Sequence, residues 1–411
     1  MSASTATQGR ARSPSAPVAQ IQNENYRYSR NPGAQYTLDG SERLEQHLER
    51  VVQQVLSEIL RVVSAERLEG LVLGGGYGRG EGGVLRTGAG DQPYNDLEFY
   101  IFLRGNHWLN QRRYAHALHA VAERLSSSAG LEIEFKILPL AKLRRSPPSM
   151  FYYDLVMGHR QVWGAPDLLT GCEHHRDPTQ IPLAEATRLL MNRCSGLLFA
   201  SEKLAHPAFR PEDADFVGRN LAKPKLALGD ALLTAHHQYH WSCLERNRRL
   251  QTLRTDFPRI VEVQRHHAAG VDFKLHPFRT SDSPAALLQA HQEIRTLALD
   301  VWLWLESRRL GLRFPDIRAY ALSPINKCPE TRAWRNCLVN LQSFGLAGLL
   351  CAAPHRHPRE RLFGSLALLL WDTESCADQA IVCWLQKTLR TSAGTLPDLM
   401  QAYRSLWKRR R

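Results

Sequence analysis

"LVLGGGYGRGEGG" occupies residues 71–83 and holds seven glycines; "YNDLEFYIFL" follows at residues 94–103. Glycine loses more chain entropy on folding than any other residue, so helix and strand interiors avoid it. A run this dense marks backbone that turns sharply or passes close to another group. Without Cβ atoms in the way, successive N–H groups can converge on an anion such as phosphate. Before the run, "LEGLVL" reads as a short apolar strand, and after it Leu97 to Leu103 reads as a strongly β-prone one. Asp96 and Glu98 are two residues apart, so on a strand both leave the same face, roughly 6.5–7 Å apart along the backbone. Leu97 and Phe99 then point the other way, into a core.

Working outward, "SERLEQHLERVVQQVLSEILRVVS" (41–64) has apolar residues at helical spacing, with Ser41 at the N-cap. A long loop is expected between the glycines and Asp96. A helix is expected over "QRRYAHALHAVAERLSSS" and a third strand over "LEIEFKILPL" (131–140). In that strand Leu131, Ile133, Phe135 and Ile137 share one face, and Glu132, Glu134 and Lys136 share the other. "FYYDLVMGHRQVWGAPDLL" reads as a helix, a short strand and a turn. From about residue 180 strand signals almost vanish and long Leu- and Ala-rich helical stretches take over. The expected fold class is α+β: a small mixed sheet with flanking helices, then an all-helical C-terminal region. The expected division is a disordered arm at 1–38, an α/β unit at 39–172, a helical domain at 173–405 and a basic tail at 406–411.

Composition sets the boundaries of function. Lys and Arg number 53 against 40 acids, a formal charge of +13, which favours anionic partners. No run of 18 apolar residues is present, so no membrane span is expected. The N-terminal segment lacks the apolar middle of a secretory signal, and the eight cysteines form no C-x-x-C pair. Reduced thiols in a cytoplasmic protein are expected.

Three phosphate-binding loops fail against the glycine run. No Gly-Lys pair completes a P-loop. Gly78, Gly80 and Gly83 form G-x-G-x-x-G, but turn formers follow instead of the helix a dinucleotide fold needs. "HRD" occurs at 175–177 without the partner Asn or any D-F-G, which excludes a kinase. What remains is a glycine loop coupled to acids on the next strand. Two convergent carboxylates beside a phosphate site suit Mg²⁺, and a third on a neighbouring strand completes a two-metal site. Glu134 is placed for that role, with Glu132 as the alternative.

These residues resemble the signature of the DNA polymerase beta-like nucleotidyltransferase superfamily, over residues 68–170. "LGGGYGRGE" is similar to its Gly-[Gly/Ser] and Arg-Gly-Glu loop, "NDLEF" to its acid-hydrophobic-acid strand and "IEF" to its third-acid strand. The Asp-then-Glu pair after Pro93-Tyr94 is similar to the kanamycin nucleotidyltransferase branch. The resemblance implies Asp96, Glu98 and Glu134 as ligands of two Mg²⁺ ions, or Mn²⁺ in their place. It implies Gly75, Gly76 and Arg79 on the triphosphate, and a helical region closing the nucleotide cleft, for which Arg193, Lys223, Lys225 and Tyr239 are the candidates. Lys223 precedes Pro224, which suits a helix start. Gly76 replaces the commoner Ser, and the Gly76–Asp96 loop is longer than the family pattern.

The expected activity is transfer of a nucleoside monophosphate from an NTP to an acceptor hydroxyl, with pyrophosphate released. The acceptor, whether small molecule, protein or RNA, is left open, as is a homodimer. The alternatives are a non-catalytic nucleotide-binding regulator of antitoxin type and an RNA-tailing enzyme. His236 and His240 are four apart but lack a third zinc ligand, so polar helix surface is the expectation. Trp302, Trp304 and Trp334 fall in helical stretches and are expected in the core. The terminal "WKRRR" is expected to fray.

Overall fold

The computed structural model describes residues 35–350 and 353–409. Helix α1 (Glu42–Val62) buries Leu44, Leu48, Val51, Val52, Val55 and Ile59 along one stripe, with Glu42 and Glu45 favouring its positive end. Ser41 stands at the N-cap in extended conformation, but its hydroxyl caps nothing; its N–H donates to Asp91 Oδ2 at 2.7 Å. Strand β1 (Leu68–Leu73) leads into the one-turn helix α2 (Gly75–Gly78). Strands β2 (Val84–Thr87) and β3 (Gly90–Pro93) form a hairpin where a plain loop was expected. Only Val84 and Leu85 are buried in it, too few apolar positions for an alternation to stand out in the sequence. Strand β4 (Leu97–Leu103) follows, then α3 (His107–Ala129), capped by the Asn106 side chain and ended by Gly130 in the left-handed region. Strand β5 (Ile133–Ile137), α4 (Leu140–Arg145), α5 (Met150–Met157) and β6 (Arg160–Gly164) complete the α/β unit.

The sheet order is β5-β4-β1-β6, with β4 and β5 parallel and the other pairings antiparallel. The long α3 makes the crossover that a parallel pair requires. Leu71, Leu73, Leu97, Phe99 and Ile101 pack with α1 and α3 on one face. Val72, Tyr100 and Phe102 pack with Leu140, Leu143, Leu155 and Val156 on the other. Being two residues apart from Tyr100 along the strand, Glu98 belongs to that second face.

Among the described residues eleven α-helices follow: α6 (Leu183–Leu204), α7 (Pro211–Ala235), α8 (Cys243–Gln251), α9 (Ile260–Leu275), α10 (Pro284–Leu310) and α11 (Ile317–Leu322). After them come α12 (Ala333–Phe344), α13 (Leu346–Leu349), α14 (Arg359–Trp371), α15 (Gln379–Leu389) and α16 (Leu396–Lys408). One continuous core joins all of them but α13, with α12 touching it through Phe344, and it takes in Met150 and Tyr153 of α5. Helix α5 is therefore shared, with one side on the sheet and one on the helices. Inside this core Glu306 is fully buried and meets Arg309 (2.6 Å), Thr187 (2.6 Å) and Tyr320 (2.8 Å), joining α6, α10 and α11.

Several expectations need correction. Pro224 does not open a helix: α7 begins thirteen residues earlier, at Pro211, and Pro224 sits inside it. An interior proline removes one hydrogen bond and costs about 3 kcal/mol, which the nearly continuous burial of Leu221 to Ala235 offsets. The helix ends at Ala235, so His236 and His240 lie in a loop that turns at His237 (φ 58°), not on a helix face. Trp302 is fully buried and Trp304 partly so, but Trp334 is 57% exposed. Trp407 packs on Phe199 (centroids 5.4 Å apart) and α16 continues through Lys408. Residues 1–34 of the expected arm, Arg410 and Arg411 of the tail, and Cys351 lie outside the described residues. Tyr36 and Thr37, assigned to the arm, are instead buried against α1, where Glu45 accepts from both N–H groups and Glu49 from the Tyr36 hydroxyl. The seven described cysteines are all unpaired thiols. No described helix is long and apolar enough to cross a membrane.

Candidate active site

The parallel register pairs Glu98 with Glu134, so the two carboxylates leave the same face of neighbouring strands about 4.8 Å apart at the backbone. Asp96 stands just before β4, and Leu97 N–H donates to Glu132 C=O at 2.9 Å, fixing this end of the pair. The glycine turn reaches the same place. Gly74 N–H donates to Glu98 C=O at 2.8 Å, and a Cβ on Gly75 would lie 3.8 Å from the Glu98 side chain. Gly75 has φ +64° and opens α2, so the N–H groups of Gly75 and Gly76 have no intrahelical acceptor.

Burial pushes the Asp96 carboxyl above its ordinary range, and the like charges of Glu98, Glu134 and Glu132 push it further. Acids crowded this way attract a cation. Lys136 already answers part of that demand: its Nζ is 2.8 Å from Glu134 Oε2 and 3.4 Å from Glu98 Oε2. Burial works against the Lys136 ammonium, yet these two carboxylates outweigh it and raise its pKa. The Tyr100 hydroxyl donates to Glu98 Oε2 at 2.6 Å, and burial with the adjacent negative charge keeps it protonated. Among the described residues no three Asp, Glu, His or Cys side chains form a ready-made metal cluster. The donor set nevertheless fits a hard divalent cation, since it consists of carboxylate oxygens with one electrostatically strained member.

Gly78 and Gly82 serve packing, while Gly80 takes a left-handed φ of +75°. Tyr77, fully buried, is the peg of the loop: its hydroxyl donates to Gly83 C=O (2.8 Å) and accepts from Tyr94 N–H (3.0 Å). Burial first of all drives that hydroxyl's pKa up to about 12. A Cβ on Gly82 would fall 2.0 Å from the Tyr77 ring, and one on Gly78 would fall 2.2 Å from Leu73 C=O. Glu81 is buried and reaches the helical region. It accepts from the Ser242 hydroxyl (2.5 Å) and Cys243 N–H (3.0 Å) and pairs with Lys274 (3.3 Å). Burial alone would raise its pKa; Lys274, Cys243 and Ser242 overcome that and hold it at about 2.

The residues proposed for the triphosphate separate into two groups. Gly75 lies against Glu98, whereas a Cβ on Gly76 would face the backbone of Glu81 at 3.0 Å and of Gly82 at 3.4 Å. Arg79 and Tyr239 instead meet each other's partner: Asp154 accepts from Arg79 (3.3 Å) and from the Tyr239 hydroxyl (3.2 Å). Tyr239 is buried, in the loop after α7, and Arg246 donates to its oxygen at 3.2 Å. Arg193 on α6 and Lys223 on α7 both already interact within the chain. Lys225 is half-buried, and its ammonium is disfavoured first by burial, with Glu293 of α10 and Arg265 of α9 as its charged neighbours. Asp96, Glu98 and Glu134 lie instead on or just before strands β4 and β5. Sequence reasoning overlooked Tyr77, Asp154 and Tyr100; only Tyr100 had a signal, being on the acids' face two residues after Glu98. No protein-family model matches this chain, and no curated protein matches it in sequence.

Proposed function

We propose that the chain is a nucleotidyltransferase of the polymerase beta-like type, moving a nucleoside monophosphate from an NTP to an acceptor hydroxyl. In that reaction the acceptor hydroxyl gives its proton to water as its oxygen bonds to the α-phosphorus, the bond from that phosphorus to the bridging oxygen of the β-phosphate breaks, and pyrophosphate leaves. The observation that carries the reading is the Glu98–Glu134 register, with Asp96 two residues upstream and the Gly75 turn against Glu98. Asp96, Glu98 and Glu134 would hold Mg²⁺, which when bound offsets triphosphate charge and acidifies the acceptor hydroxyl. The N–H groups of Gly75 and Gly76 would orient phosphate oxygens, and Tyr100 holds the Glu98 carboxylate in one rotamer. The rate gain would come from positioning and electrostatics, as in phosphoryl transfer generally.

Labelled α-phosphate NTPs, each with Mg²⁺ and with an aminoglycoside, bulk RNA or the protein itself as acceptor, test this. Wild type should release pyrophosphate and label one acceptor. Asp96→Ala should lose at least about a thousandfold in rate with its circular dichroism unchanged. Full turnover by that variant rejects the reading.

Lys136 favours a second reading, nucleotide binding without chemistry, because an ammonium already bridges Glu98 and Glu134. Mn²⁺ titration followed by electron paramagnetic resonance separates the two. Binding that Asp96→Ala abolishes supports transfer, and no binding at millimolar Mn²⁺ supports the second.

A further inference from the structure

Between α4 and the start of α12 lies a groove of about 770 Å³ lined by Arg144, Arg145, His174, Arg332, Arg335 and His357. Among the described residues its one carboxylate, Glu330, lies 3.5 Å from Arg309 and 3.9 Å from Arg188. Among the described residues none of Arg144, Arg145, Arg332 and Arg335 pairs with a carboxylate, and all four are exposed. Gathered like charge is self-repelling, so such a groove gains most from an anion with several charges. Arg144 is held in place, its Nε donating to Thr170 C=O at 2.8 Å. Beside the groove Trp334 stands 57% exposed, with the Arg335 guanidinium 5.1 Å from its ring centroid. An indole left in water next to a row of guanidiniums offers a stacking platform as well as charge.

We propose that this groove binds the phosphodiester backbone of a single-stranded nucleic acid, with Trp334 stacking on a base. Phosphate oxygens match the forked geometry of arginine, and a nucleic acid also brings an aromatic face that the indole can stack on. An acidic peptide would use the charge and leave Trp334 idle. Leu140 and Leu143 of α4 pack with Tyr100, whose hydroxyl holds Glu98, so groove and carboxylates share one side of the sheet. The ten residues from Glu134 to Arg144 span at most about 35 Å. If the transfer reading holds, the bound strand is a candidate acceptor; binding itself does not depend on that.

Fluorescence anisotropy on the full chain, with labelled single-stranded RNA and DNA of about twenty nucleotides and a poly-glutamate of equal charge, tests the proposal. Wild type should bind the nucleic acids, with log affinity falling by about 0.7 per neutralised phosphate for each log of salt. R144E/R145E and R332E/R335E should each weaken binding at least about tenfold and flatten that slope, while Trp334→Ala weakens it at constant slope. The two arginine pairs lie on opposite walls, so a variant that misfolds leaves the other as the test. Tighter binding of RNA than DNA would assign a contact to the 2′-hydroxyl, and equal binding would assign backbone and bases alone. Asp96→Ala should bind as wild type does, which keeps this result apart from any failure of nucleotidyl transfer. No nucleic-acid binding at low salt, equal affinity for poly-glutamate, or unchanged binding by both arginine pairs overturns it.

Discussion

Glu81 shows how little a residue's type reveals of its work. In sequence it is the last letter of an Arg-Gly-Glu loop, and in the fold it ties the glycine turn to α8 and α9 through Ser242, Cys243 and Lys274. Its carboxyl falls from an ordinary 4.5 to about 2 on folding. A depressed carboxylate contributes stability that is complete above the unfolded value and is lost as pH falls through the folded one. That contribution is on the order of 3 kcal/mol. Glu81→Gln should therefore be less stable than wild type by about that amount at pH 7, with the gap closing between pH 4.5 and about 2. Urea unfolding across that range measures it, and a gap independent of pH would refute the ion-pair account. The shared face of Glu98 and Glu134 was legible because strand period assigns it; Asp96, just before β4, lies outside that rule. Arg79 and Tyr239 were not, since nothing in either neighbourhood announces Asp154, which lies far away in the chain.

Elements with one strong periodic signal were read almost to the residue: β4 spans Leu97–Leu103 as expected, and α1 and α3 agree within a few positions. The β2–β3 hairpin and the true course of α7 were not, because two buried residues make no pattern and Pro224 mimics a helix start. The glycine turn falls between these cases. Its phosphate-binding character was proposed from density, but density here has two causes. Gly75 needs its left-handed φ beside Glu98, whereas Gly82 exists to seat the Tyr77 ring. Gly82→Ala should cost about 1–3 kcal/mol by overpacking against a ring held at both ends of its hydroxyl. Gly88→Ala, with open space around its Cβ, should be near neutral. Thermal midpoints of the pair decide it; equal midpoints would remove Tyr77 as the organising side chain.

At the scale of the molecule, the division into an α/β unit and a helical region was visible as a change of period near residue 180, but the seam joining them was not. That seam is polar and buried. Arg79 and Tyr239 meet at Asp154, Arg246 bonds Tyr239, and the Arg246 guanidinium lies 2.7 Å from Asp230, which His267 also contacts at 3.2 Å. Burial alone would raise the Asp230 carboxyl; Arg246 and His267 outweigh it and hold it below the usual range. Removing one partner of such a pair strands the other charge, at a cost of about 3–5 kcal/mol. Arg246→Ala should lose that much, and the deficit should be larger at pH 8 than at pH 5. The stranded carboxylate now favours its protonated form, so rising pH destabilises the fold where it previously did not. Replacing both charges, as Asp230→Asn with Arg246→Met, should recover much of the loss by removing the uncompensated ion. Urea unfolding followed by circular dichroism and tryptophan fluorescence reports both parts of the molecule. If the single variant unfolds like wild type, or the double variant fares worse than the single one, the helical side of the seam is not held by this pair.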